Sequence, residues 1–89
     1  MKRNPDFLLR NVAGTQVLVP VGQAADAFAG MVTLNSTSAF LWEQLEDVQT
    51  VDSLARALLD RYDVAEEKAR EDVEAFLAAL MPTGAILEG

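Results

Sequence analysis

The chain has 89 residues, 51% of them hydrophobic, with fourteen acidic against seven basic side chains and a net charge of −7. That is enough apolar material for one modest core, too little basic charge for a nucleic-acid binder, and no apolar run long enough to span a bilayer. Cysteine and histidine are both absent, which excludes disulfides, zinc sites of the usual kind and any mechanism built on an imidazole base. The balance fits a single domain over residues 1–89, placed in the cytoplasm.

Residues 1–6 read as a flexible lead-in. Their basic start is not followed by an apolar h-region with a cleavage site, so no secretion signal is expected. Phe7 to Val12 reads as a first strand, Ala13-Gly14 as a turn, and Thr15 to Val21 as a second strand rich in β-branched residues. Pro20 cannot donate to a ladder and belongs at that strand's end. Gly22 to Ala27 is expected to be a loop, and residues 28–34 a third strand. Short connections predict an antiparallel meander with the second strand in the centre.

Helical spacing takes over from there. Asn35 is a good N-cap for a helix carrying Leu41, Trp42 and Leu45, with Trp42 read as core. Thr50 caps a second helix whose apolar rhythm runs through Val51, Leu54, Ala55, Leu58, Leu59 and Tyr62. Asp63, with Glu66 three residues on, is expected to cap a third helix. That helix buries a stripe of Ala69, Val73, Phe76, Leu77 and Leu80 and stops at Pro82 and Gly84. Ala85-Ile86-Leu87 is a candidate extended tail. The fold class is therefore α+β: a three-stranded antiparallel sheet followed by three α-helices that cover one of its faces.

The third strand is the unusual part. From Ala27 to Trp42 no residue is charged, although 24% of the chain is. The first strand has Pro5, Asp6 and Arg10 as edge protection, whereas the third has none. An unguarded edge is an invitation to another strand: the chain's own tail, a second copy in a homodimer, or a foreign peptide. Along it Ala29, Met31 and Thr33 share one face, and Gly30, Val32 and Leu34 the other. The bulky aliphatics favour Val32 and Leu34 as the inward pair. Met31 is then an adaptable contact, and Gly30 leaves room for close backbone approach.

The string Gly30-Met31-Val32-Thr33-Leu34-Asn35, then Ala39-Phe40-Leu41-Trp42, then Tyr62-Asp63-Val64 and the run Ala69 to Leu77, resembles the PqqD family, small proteins named for the D protein of pyrroloquinoline quinone biosynthesis. The resemblance covers roughly residues 5–87. It implies a RiPP recognition element, a winged-helix-like, non-catalytic module without cofactor that binds the leader of a ribosomally made precursor peptide. The leader would add as a strand to the third β-strand and pack on the third helix. The module would then present the precursor to a modifying enzyme, often of the radical SAM type. Carried across, the peptide contacts fall on Ala29, Gly30, Met31, Val32, Thr33 and Leu34 of the strand. On the helix they fall on Arg70, Val73, Phe76, Leu77 and Leu80.

Blander readings stand beside these. The stripe residues are core in the first instance, and Arg70 is a surface charge in reach of Glu66, Glu67 or Glu74. The carboxylates at 66, 67, 71, 72 and 74 lack calcium-loop spacing and read as a solvated face. A winged-helix DNA-binding regulator would need more than Lys68 and Arg70 on its recognition helix. An enzyme would need a nucleophile beside a base, or a phosphate-binding glycine loop, and neither is present.

Overall fold

A computed structural model of the chain describes residues 1–27 and 30–88. In chain order it contains β1 (Lys2–Arg3), β2 (Phe7–Val12), β3 (Thr15–Pro20), α1 (Gln23–Ala27), β4 (Val32–Leu34), α2 (Ser36–Gln44), α3 (Val51–Arg61), α4 (Glu66–Leu80), a 3-10 turn (Met81–Thr83) and β5 (Ile86–Leu87). The α+β meander is as expected: β2, β3 and β4 form one antiparallel sheet in that order.

The sheet begins as a tight hairpin. Ala13 and Gly14, at φ 53° and 85°, occupy the two turn positions between the paired residues Val12 and Thr15. Two positive φ values in a two-residue loop suit the twist of the flanking strands. The Asn11 side chain accepts a hydrogen bond from the Gly14 N–H at 3.0 Å and braces the turn. Register then fixes the faces, because residues directly opposite one another project to the same side. Leu9, Leu18 and Val32 form one row across the sheet, while Arg10, Val17 and Thr33 form a row on the other side. The first row meets the helices. Leu18 is fully buried, Leu34 is 7% exposed, and Leu9 and Val32 pack against the same core. The sequence preference for Val32 and Leu34 as the inward pair agrees with this packing.

Three helices supply the rest of the core. Asn35 ends β4 and caps α2 at once, its side chain accepting from the Ser38 N–H at 2.8 Å. Thr50 caps α3 through a reciprocal pair: its hydroxyl accepts from the Ser53 N–H, and its own N–H donates to the Ser53 hydroxyl. Trp42, Leu41, Leu45, Leu54, Leu58, Val73 and Leu80 form the fully buried centre.

Four local expectations are corrected. Gln23–Ala27 is a short helix rather than loop; three alanines in five residues favour it. The third strand occupies only Val32–Leu34 of the residues expected; residues 28 and 29 lie outside the described ones. Asp63 does not cap α4: the N-cap is Ala65, with no side-chain bond, and Glu66 and Glu67 offset the missing cap through the helix dipole. The first six residues are not a loose lead-in. Lys2 pairs with Leu87 and Arg3 with Ile86, the Arg3 N–H donates to the Leu45 carbonyl, and the terminal ammonium donates to the Gln49 carbonyl at 2.9 Å. The tail thus closes against the chain's beginning and not against β4. Among the described residues no helix is long and apolar enough to cross a membrane.

Two substitutions test these assignments. Ala13 holds a left-handed conformation costly to a residue with a Cβ, so Ala13→Asn should raise stability by roughly 0.5–1 kcal/mol in urea unfolding. Ala65→Ser should add about 1 kcal/mol by supplying the cap α4 lacks, whereas Asp63→Ser should leave the unfolding midpoint where it is.

The open edge of the sheet and the groove beside it

β4 pairs with β3 on one side, and among the described residues no strand occupies its other side. A groove of about 380 Å³ lies between that strand and α4. Val32, Thr33 and Leu34 form one wall, and Asn35, Thr37 and Ser38 close one flank where β4 runs into α2. The opposite wall is α4, through Lys68, Asp72, Ala75, Phe76, Ala79 and Leu80. Met31 stands just before the strand at 63% exposure. Gly30 takes φ 127°, a conformation that side chains rarely adopt, and among the described residues outside its own chain neighbours no atom lies within 4 Å of the position a Cβ would occupy. The glycine there serves backbone geometry, allowing the chain to turn into β4.

The helix wall has a simple construction. The buried stripe of α4 is Ala69, Val73, Phe76 and Leu80. Moving each position back by one gives Lys68, Asp72, Ala75 and Ala79, which lie about 100° around the helix and face the groove. Moving forward by one gives Arg70, Glu74, Leu77 and, just past the helix, Met81. Arg70 belongs to the α3 side, where its guanidinium meets Asp52 at 2.7 Å.

The residues picked from sequence are therefore divided. Val32, Thr33, Leu34, Phe76 and Leu80 come together around the groove, and Gly30 and Met31 lead into it. Val73 is fully buried beneath α4, Leu77 packs half-buried against the core, and Arg70 is tied to Asp52 rather than to Glu66, Glu67 or Glu74; none of the three lines the groove. Ala29 lies outside the described residues. Lys68, Asp72, Ala75 and Ala79 line the groove without having been singled out as contacts, because the apolar stripe does not say which of its two flanks faces the sheet.

The groove's only charged groups are on α4. The Lys68 ammonium meets Asp72 at 2.9 Å. That hydrogen bond, and then the charge of Asp72, raise the lysine pKa above its ordinary value. The lysine side chain is 60% exposed and the aspartate 28%, so the carboxylate is the more enclosed partner.

A small three-stranded sheet, with its β4 edge beside a groove walled by α4, defines a winged-helix-like α+β module. The chain belongs to the PqqD family: the family model described as coenzyme PQQ synthesis protein D matches residues 15–86. Two solved structures share the fold. One is TbiB1 in complex with the TbiA(beta) leader peptide, with a TM-score of 0.74 and 21% identity over 100% of this chain and 96% of that one. The other is lasso peptide synthetase B1 complexed with the leader peptide, with a TM-score of 0.72 and 22% identity over 97% and 95%. A comparison with curated proteins gives no match.

The backbone at Gly30 can be tested without any ligand. Because the space around it is open, Gly30→Ala should lose stability through φ alone, on the order of 1–3 kcal/mol. Urea denaturation measures this, and an unchanged midpoint would mean that the turn into β4 tolerates a Cβ.

Proposed function

We propose that the chain is one peptide-recognition domain that captures the leader segment of a ribosomally made precursor and presents it to a modifying enzyme. The leader adds as a further antiparallel strand on β4, between residues 30 and 34, and lays its alternate side chains into the groove against Lys68, Asp72, Ala75, Phe76 and Ala79. Backbone pairing gives attachment that is indifferent to sequence, and the groove gives selectivity. The module itself performs no chemistry. Its work is to hold the precursor in the cytoplasm, and a radical SAM enzyme suits the family as the partner that acts on it.

One observation carries this reading: the outer edge of β4, on which no strand pairs among the described residues, borders a groove whose opposite wall is α4. Support comes from the two structural neighbours, each solved with a leader peptide. The DNA-regulator reading is weaker than the sequence left it. Both cations of α4 are engaged by carboxylates, Lys68 by Asp72 and Arg70 by Asp52, which leaves that helix with no free cation for phosphate. An edge-to-edge homodimer would occupy the strand the leader needs, so leader binding should dissociate it.

The test is titration of a fluorescent candidate leader peptide. Met31→Pro and Val32→Pro remove strand donors and should abolish binding, with circular dichroism confirming the fold. Ala75→Trp, at an exposed position, should fill the groove and weaken binding at least about tenfold while leaving stability within about 0.5 kcal/mol. Normal binding by the folded proline variants would end the strand-addition model.

A further inference from the structure

The charge pair in the groove has more to say than its position. We infer that the peptide this groove accepts carries a lysine or arginine, seated against Asp72 in place of Lys68. The inference rests on the strand-addition reading and adds to it the sign of one specificity contact.

Three features lead to it. Asp72 is the more enclosed member of the pair, so an ion pair made there is less screened than one made at the exposed Lys68. Lys68 is poorly placed by helix energetics. It is a cation in the first turn of α4, at the positive end of the dipole, and it precedes its acidic partner by four residues, the less favourable order. Little is lost when it swings into solvent. Finally, Glu66, Glu67, Glu71 and Glu74 surround the pair on the same helix in a chain of net charge −7. An acidic ligand side chain reaching for Lys68 would meet that field, and a basic one would be drawn by it. The start of α2 also borders the groove and favours anions, but its Ser38 N–H is already taken by Asn35.

The groove also places the neighbours of this basic residue. Its α4 wall runs from Lys68 to Leu80, so a bound strand follows the helix. The next side chain on the same side of that strand lies about 7 Å further on. Ala75 and Ala79 stand at roughly 4.5 and 10.5 Å from Asp72 along the helix axis. A side chain arriving between two alanines has room to be large, and Phe76 and Leu80 beneath make the floor apolar. The recognised pattern is thus a basic residue, one spacer, then a bulky apolar residue, in whichever chain direction the strand adopts.

Selection from a phage library of randomised twelve-residue peptides on the full chain tests this, with affinities of the enriched peptides then measured in solution. The expected result is enrichment of Lys or Arg two positions from a large apolar residue, with about tenfold weaker binding when that base is changed to Glu. Exchanging the pair, Lys68→Asp with Asp72→Lys, keeps an ion pair on the helix but reverses the enclosed charge, and should invert the preference to Asp or Glu. Asp72→Asn alone should remove the charge preference without removing selection; it provides a second route should the exchanged variant fail to fold. Enrichment without a charge preference, or with acidic residues, overturns the inference and leaves strand addition standing. Enrichment that survives Met31→Pro in the folded protein, or no enrichment at all on the wild-type chain, sinks both.

Discussion

The vacancy beside β4 depends on where the tail of the chain pairs. Ile86 and Leu87 lie antiparallel to Lys2 and Arg3, and the Asn4 N–H and side chain donate to the carbonyls of Ala85 and Gly84. Gly84, at φ 84°, redirects the chain after the 3-10 turn and delivers the tail to that partner. A short apolar tail is the natural occupant of an open sheet edge within its own molecule. Here it is committed elsewhere, by bonds that also draw in the carbonyl of Leu45 and bury Ile86 in the core. The lead-in and the tail together act as a clasp. Its structural result is a closed core and a tail that does not pair with β4.

Much of this was legible in the residues, for identifiable reasons. The hairpin announced itself through Ala13-Gly14 between two runs of apolar and β-branched residues. Asn35 and Thr50 are caps of the type that helix starts demand, and the stripes of α3 and α4 follow the 3.6-residue period. The charge-free run from Ala27 to Trp42 contains the edge strand β4 and the start of α2. What could not be read was anything set by distant partners. The clasp joins the two ends of the chain, and no local pattern marks it. Asp63 looked like a cap because the sequence rule counts residues, whereas the helix begins later, after Ala65.

The choice of helix flank is more instructive. An apolar stripe on a helix has two flanks, one residue before and one residue after. Periodicity locates the stripe and is silent about which flank meets the sheet. On α4 the later flank carries Arg70, and Asp52 on α3 claims it. The earlier flank, with Lys68, Asp72, Ala75 and Ala79, is left to line the groove. Tertiary placement of α3 decides the matter, and a single long-range ion pair is enough to reveal it.

The shortness of β4 then explains why the groove has to matter. In an antiparallel ladder only alternate residues turn their N–H and C=O outward, so a three-residue strand offers about two to four hydrogen bonds to a newcomer. At about 1 kcal/mol net each, backbone pairing contributes roughly 2–4 kcal/mol, at or below the low end of the cost of association, estimated at about 4–15 kcal/mol. The edge by itself therefore holds nothing firmly, neither a stray strand nor a second copy of this chain, which the net charge of −7 also repels. Side chains burying against Ala75, Phe76 and Ala79 would add roughly 1.5–3 kcal/mol for each large apolar one. Two such residues would bring the gross total to roughly 5–10 kcal/mol, within the range of that cost. A short edge beside a shaped groove is thus selective by construction, because the part that any peptide can use is too weak to act alone.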